Sequence, residues 1–352
     1  MKESLLYRRL DERRAQCQVC PHYCVLLPLQ RGKCGVRENR GGKIYSLVYG
    51  KVASINIDPI EKKPFFHFLP GTESLSFGTV GCNLSCMNCQ NWQISQSPKT
   101  KNRIEGEGTL PEQIVEMAIR YNCPSISYTY NEPTVFFEFA LDTMKIARGR
   151  KLKNCWVSNG FISKETLELA TPYIDAINVD IKGASEEFYK KYCKARLSPI
   201  LDALLFLKKR KVWIEITTLA IPGVINERAF TKIAAFIKKE LGAETPWHIS
   251  RFFPEVSWKM RQLYSTPVDL VQKGCDIGMA AGLKYVYGGN VPGLASEDTY
   301  CPKCKKKMID RRGYSVKRLD KNGKCSNCGE DLNIIDNSYQ KHISSRRLTL
   351  RT

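Results

Sequence analysis

Gly81-Cys82-Asn83-Leu84-Ser85-Cys86-Met87-Asn88-Cys89-Gln90-Asn91-Trp92 decides the reading of this chain. Its three cysteines, spaced C-x3-C-x2-C, lie in a run rich in Asn, Ser and Gly, a loop-forming composition. The segment before it, Ser74 to Val80, reads as a short strand, so the cysteines follow a strand's C-terminal end. Three thiolates this close can face one metal centre. Iron–sulfur cubanes usually take four cysteines, so three leave one iron without a protein ligand. An open coordination position marks a catalytic metal site, whereas structural sites are closed. The competing reading is an incomplete zinc knuckle whose fourth ligand is remote.

Outward from this loop, the chain of 352 residues is long enough for one large α/β domain plus one or two small modules. No apolar stretch reaches bilayer-spanning length, which argues against a membrane role. Met1 to Gln16 is charged throughout and lacks the apolar centre of a signal peptide; it reads as an amphipathic helix and points to the cytoplasm. Fifteen cysteines in such a compartment argue for metal sites rather than disulfides. Eleven of them fall into three clusters, and Cys123, Cys155, Cys193 and Cys275 read mostly as small buried hydrophobes. Net charge is +20, and from Cys301 onward 14 Lys/Arg stand against 5 Asp/Glu. A basic face of this kind suits nucleic acid, an acidic protein or anionic cofactors, and equally a lysine-rich solvated surface. A nucleic-acid-binding or -modifying metalloprotein therefore stands as an alternative, although no RNA-binding module is recognisable.

Three domains follow. Residues 1–70 form a head in which Cys17, Cys20, Cys24 and Cys34 give C-x2-C-x3-C-x9-C, enough thiolates for a structural zinc or a complete second cluster. His22 reads as a turn residue or auxiliary donor. Residues 41–71 suggest two or three short strands, and the aromatic segment Pro59–Phe68 is expected to pack on the core near the cysteine loop. Over residues 71–295 short apolar runs alternate with helical patterns, the signature of βαβ units. Strands are expected at Ser74–Val80, Ser125–Tyr130, Asn154–Ser158, Ala176–Asp180, Val212–Leu219, Trp247–Phe252 and Tyr285–Tyr287. Six or so βα units suit a partial (β/α)6 barrel with ligands at the C-terminal strand ends. Residues 296–352 carry Cys301, Cys304, Cys325 and Cys328, two C-x2-C knuckles that read as a zinc-ribbon-like module, with rubredoxin-type iron as the alternative. This ribbon is expected to be structural and separable from the chemistry, and His342 to Thr352 reads as a loose basic tail.

The strand ends collect the remaining candidates. Thr129-Tyr130-Asn131-Glu132-Pro133-Thr134 follows the second strand and Ser158-Asn159-Gly160 the third; Asp180-Ile181-Lys182 closes the fourth, Ala220-Ile221-Pro222-Gly223 the fifth, and His248 to Pro254 the sixth. Each alone is a plausible turn or helix start. Five in succession around one crevice argue for a shared ligand site. Asp180, Tyr130 and His248 read as substrate-side, catalytic candidates, with Trp92 and Arg251 as lining residues.

The loop spacing and these strand ends resemble the radical S-adenosylmethionine (SAM) superfamily, and in particular its activases of glycyl radical enzymes such as pyruvate formate-lyase. The resemblance implies a [4Fe–4S] cluster on Cys82, Cys86 and Cys89 whose free iron is chelated by SAM, and an electron donor of the flavodoxin or ferredoxin kind. Glu132 would bind the SAM ammonium within Tyr130-Asn131-Glu132-Pro133, where the family has two glycines before its Glu-Pro. Ser158, Asn159 and Gly160 match the ribose-side turn, and Asp180 and Lys182 match an Asp-x-Lys whose lysine meets the SAM carboxylate. The head, the Tyr-Asn-Glu-Pro, Gly289-Asn290-Val291-Pro292-Gly293 and the ribbon together resemble the AmmeMemoRadiSam-system enzymes. That implies Amme-type and Memo-like partners and either a protein or a small-molecule substrate.

Overall fold

The computed structural model describes residues 1–291, 293 and 295–336. The basic tail and Pro292 of the Gly-Asn-Val-Pro-Gly run lie outside them. Eight strands form the central sheet: β1 Ser54–Pro59, β2 Glu73–Gly78, β3 Ser125–Tyr128, β4 Lys153–Ser158, β5 Ala176–Asp180, β6 Trp213–Ala220, β7 Trp247–Arg251 and β8 Val286–Gly289. They lie side by side in chain order. All neighbours from β2 to β8 pair in parallel, and β1 adds an antiparallel edge, with Ser54 opposite Gly78. Six helices carry the six crossovers: α1 Pro111–Arg120, α2 Phe137–Gly149, α3 Lys164–Ala170, α4 Ser198–Lys209, α5 Glu227–Phe236 and α6 Val268–Ala280. The result is a mixed α/β fold with a central parallel sheet. Among the described residues no helix is long and apolar enough to cross a membrane.

Alternation along each strand separates the two faces. Phe77 meets Phe136 and Phe139 of the helical layer, Trp156 donates from Nε1 to the Met144 sulfur, and Trp247 packs on Phe230. The intervening residues face the other way and are largely polar. There Ser74 and Ser127 share a hydrogen bond of 2.7 Å, and Thr217 donates to Asn178 Oδ1 at 2.9 Å.

That polar face is closed at the strands' N-terminal ends, and here the expectation for Pro59–Phe68 is corrected. Phe65, Phe68 and Leu69 pack on Cys155 and Ala176, near the starts of β4 and β5, far from the C-terminal strand ends that carry the cysteine loop. The backbone N–H groups of Phe66 and His67 donate to Glu215, each at 2.9 Å. A buried carboxylate near the start of β6 therefore draws the aromatic segment in as a plug. The strand Ser54–Pro59, expected in the head, belongs to the central sheet.

The N-terminal helix expectation also fails. Lys2–Glu3 is a strand pairing with Lys43–Ser46, and Tyr7–Arg9 pairs with Ala15–Cys17. Between them Glu12 and Arg13 adopt left-handed φ of 57° and 58°, which reverses the chain. Local helical periodicity lost to pairing partners supplied from elsewhere in the head. The head is anchored to the core by Arg37, whose guanidinium meets Glu138 of α2 with both partners buried (2.9 and 2.6 Å).

The ribbon, strands Thr299–Tyr300, Lys307–Arg312 and Ser315–Arg318, docks under the plug. The Ile335 N–H donates to His67 O and the Leu69 N–H to Ile335 O. Arg311, buried, donates to Phe66 O (2.8 Å), Thr299 Oγ1 (2.8 Å) and Glu297 O (3.1 Å), with its guanidinium 4.1 Å from the Phe66 ring centre. The ribbon is thus docked on the sheet's closed end, away from the cysteine loop.

Candidate functional site

The three-cysteine loop leaves β2 through Gly81, whose φ of +95° and tight surroundings admit no side chain: a Cβ would stand 2.5 Å from Val36 Cγ1. Several elements then pin the loop by backbone hydrogen bonds. The Ser85 and Met87 N–H groups donate to Cys193 O and Tyr192 O, and the Trp258 and Lys259 N–H groups donate to Cys89 O and Met87 O, all between 2.8 and 3.0 Å. Asn131 donates from Nδ2 to Thr79 O (2.7 Å) and Gly81 O, clamping the loop's entry. Asn159 donates to Asn83 Oδ1 at 2.8 Å and lies 3.7 Å from the Cys82 sulfur.

Cys82 and Cys86 are buried and Cys89 is half-buried. The Leu84 N–H reaches Cys82 Sγ at 3.4 Å, and Ser95 Oγ lies 3.3 Å from Cys89 Sγ. Burial pushes the Cys82 thiol far up, and contact with the Cys193 thiol, then burial, does the same for Cys86. Cys193 was missed by sequence reasoning because it is 104 positions beyond Cys89; a π-helical turn over Tyr189–Cys193, ended by Lys194 at φ 57°, brings it back against the loop. Next to Cys86 stands Lys182, 2.8 Å from Asp180. Burial alone would lower its pKa; Asp180 and Cys86 outweigh burial and raise it. The donor set is three sulfurs with hydrogen-bond donors at their rims and a lysine beside them. Soft thiolates of this kind suit an iron–sulfur cluster and not a hard cation.

Glu132 stands at the expected strand end, and its carboxylate is engaged within the chain. Its carboxylate is wholly buried and accepts from Thr134 N–H (3.1 Å), Thr134 Oγ1 (2.7 Å), Ser158 Oγ (2.9 Å) and Asn159 N–H (2.8 Å). Burial raises its pKa despite those donors. The group is spent on tying the second strand-end turn to the third, leaving no exposed oxygen for an ammonium. Gly160, at φ +72°, completes that turn, where a Cβ would meet Val179 and Ile200. Tyr130 takes a left-handed φ of 68°, which turns its side chain to β1. Its hydroxyl donates to Asp58 Oδ2 (2.8 Å) and accepts from Asn56 Nδ2 (3.0 Å), while burial lifts its pKa to about 12.

His248 is a correction. It occupies the start of β7, not the end, is 2 % exposed, and bonds Glu215 at 2.7 Å behind the Phe66 ring. It therefore braces the plug. Arg251, at the true end of β7, donates from Nε to Thr266 O (2.7 Å) and stacks on Phe253, and Trp92 lies under Arg261.

The two four-cysteine sets differ. Among the described residues the sulfurs of Cys301, Cys304, Cys325 and Cys328 converge within 4.8 Å of one another. Contacts of 3.6 and 3.5 Å, Cys301 to Cys328 and Cys304 to Cys325, approach the separation of about 3.8 Å that tetrahedral Zn–S bonds of about 2.3 Å dictate. The sulfurs of Cys17, Cys20, Cys24 and Cys34 do not converge; they line a small, partly open cavity.

A family model described as Radical SAM superfamily matches residues 77–237, which span β2 to α5 and contain the cysteine loop. An uncharacterized protein of Methanocaldococcus jannaschii is 45 % identical over 341 residues, covering 95 % of this chain and all of the relative. Among solved structures, a domain of pyruvate-formate lyase-activating enzyme from Bacteroides vulgatus aligns with TM-score 0.41 and 16 % identity, over 47 % of this chain and 98 % of that one. Streptococcus suis SuiB bound to precursor peptide SuiA aligns with TM-score 0.48 and 12 % identity, over 66 % of this chain and 52 % of that one.

Proposed function

The chain belongs to the radical SAM superfamily, and from that premise we propose that Cys82, Cys86 and Cys89 hold a [4Fe–4S] cluster with which this enzyme cleaves SAM and abstracts hydrogen from a substrate. The bound cluster and SAM supply the one-electron chemistry that yields methionine and a 5′-deoxyadenosyl radical. The chain's own work is positional. Asn131 and Asn159 fix the loop from two strand ends. Lys182, oriented by Asp180 and close to Cys86, would supply a cation to a carboxylate bound at the cluster. The parallel sheet, read as a partial (β/α)6 barrel, offers substrate its polar face between this end and the Phe66–His67 plug, which keeps bulk water from entering at the other end.

The observation that carries the reading is the placement of the three-cysteine loop directly after β2, with Asp180 and Lys182 beside it. Head, Tyr-Asn-Glu-Pro and ribbon in a single chain support the AmmeMemoRadiSam subgroup, with Amme-type and Memo-like proteins as partners and a flavodoxin- or ferredoxin-like donor. The tight convergence of the ribbon sulfurs supports zinc there. Anaerobic incubation of reconstituted protein with SAM and dithionite tests the chemistry. Wild type should release 5′-deoxyadenosine and Cys86→Ala should not; formation at the wild-type rate by that variant would overturn the proposal.

A further inference from the structure

We propose that Cys17, Cys20, Cys24 and Cys34 hold a second iron–sulfur cluster, through which the electron for the three-cysteine loop enters. The relay half of this inference rests on the radical SAM reading; the cluster half does not. A single zinc draws four sulfurs into a knot, as the ribbon shows, and needs no volume beyond them. The head keeps its four sulfurs apart around one small cavity, the spacing that a cubane, with four irons and four sulfides between its ligands, calls for. Arg37 and Lys33 line the cavity; the charge of Arg37, only 2 % exposed, is matched by Glu138, but its Nε–H has no partner among the described residues. Such a donor is of the kind that hydrogen-bonds cluster sulfur and tunes its potential.

Position supplies the function. The Cys34 carbonyl oxygen lies 3.1 Å from where a Gly81 Cβ would be, and His22 Nε2 bonds Asn83 O at 2.8 Å. Gly81 and Asn83 flank Cys82. The cavity and the loop therefore share one wall of backbone. Cys20 and Cys24 are half-buried and line the cavity with Lys33, and the neighbouring Pro21 carbonyl accepts from Arg196 (2.8 Å). A reduced ferredoxin-class protein, acidic and carrying one electron at low potential, would be oxidised at this basic side; the head cluster is reduced, then reoxidised by the loop cluster, which reduces the SAM sulfonium as its C5′–S bond breaks.

The test uses the full chain, reconstituted anaerobically, with iron, sulfide and zinc counted and the dithionite-reduced EPR spectrum recorded with and without SAM. Wild type should hold about eight iron and eight sulfide, for two cubanes. Cys24→Ser/Cys34→Ser should keep about four, with the SAM-responsive signal. Cys82→Ala/Cys86→Ala/Cys89→Ala should also keep about four, without that signal. In the head variant the ratio of 5′-deoxyadenosine formed with reduced ferredoxin to that formed with dithionite should fall about tenfold or more. Wild type with about four iron, all lost in the loop variant, and zinc in the head would overturn the second cluster while leaving the radical SAM reading intact. Iron unchanged in the loop variant would overturn the radical SAM reading, and with it the relay, but not the head cluster. Two cubanes with an unaltered donor ratio would overturn the relay.

Discussion

The head and the ribbon both carry four cysteines, yet they are built and placed oppositely. The ribbon gathers its sulfurs into a knot and docks against Phe66 and His67, at the N-terminal ends of the strands. The head spreads its sulfurs around a cavity and docks against Gly81 and Asn83, at the C-terminal ends. In parallel α/β folds the C-terminal ends carry chemistry and the N-terminal ends carry stability. The difference teaches that cysteine number and spacing alone do not distinguish a fastener from a working site; sulfur convergence and the end of the sheet occupied do.

The largest effect is expected where the head joins the core. Glu138→Ala leaves the Arg37 guanidinium buried and uncompensated, a loss of about 3–5 kcal/mol. Iron content should fall with it, because Arg37 lines the head cavity. An Arg37→Met/Glu138→Met double variant should regain most of the stability in chemical denaturation but not the full iron content. Full iron in that double variant would show that Arg37 does nothing for the occupant.

A smaller loss, about 2–3 kcal/mol, is expected from Arg311→Met, which keeps contact with Phe66 but leaves its carbonyl and that of Glu297 without this donor. If the N-terminal end serves stability alone, 5′-deoxyadenosine formed per folded chain should match wild type. A fall in that rate at unchanged folded fraction would break the comparison.

Much of the fold was legible in the sequence, and the misreadings have physical causes. The parallel strands and their turns announced themselves because buried strands are apolar runs and turns need Asn, Gly and Pro. The expected strand ends fall within two residues of the observed ones, but near the start of β7 a histidine looked like chemistry. The partner of His248, Glu215, is on another strand, and nothing local reports such a pair. The partners of Glu132 were hidden in the same way: two of its four donors come from Ser158 and Asn159. The first residues read as a helix because their charges and leucines alternate suitably, yet Lys2–Glu3 finds its strand partner some forty residues away at Tyr45 and Ser46. Glu132→Gln tests the revised role. An amide facing four donors should cost about 1–3 kcal/mol of stability, with the cluster absorbance retained in the folded fraction. A weakened SAM affinity without loss of stability would restore the ligand role.

The ribbon end should also carry a pH signature. His67 is wholly buried, bonded to Tyr287 Oη and close to Leu332 O and Asn333 O. Burial, helped by Arg311 and His248 and opposed by Glu215, depresses its pKa to about 4. The unfolded chain titrates this group near 6.5 and so binds more protons than the folded one between about pH 4 and 6.5. Its contribution to stability is full above that window and is lost as pH falls through it, by up to about 1.4 kcal/mol per pH unit. His67→Gln should flatten the pH dependence of denaturation midpoints across the window; an unaltered slope would assign the dependence to other groups.

The smallest effect is expected within the ribbon's own metal shell. Cys301 is completely buried and Cys328 exposed, although both belong to the same four-sulfur set. Removing Cys328 leaves three thiolates, and water can take the fourth position at the surface, as it does in three-ligand zinc sites. The docking contacts of Arg311 and Ile335 lie elsewhere in the module and remain. Cys328→Ser should therefore lower zinc affinity while shifting global stability by no more than about 1 kcal/mol. Cys301→Ser puts a hydroxyl where no water can reach, beside Met308 and Leu332, and should cost more. Competition with a zinc chelator alongside thermal denaturation separates the two outcomes. Equal losses from both substitutions would show that metal retention, and not sulfur burial, holds this end of the sheet closed.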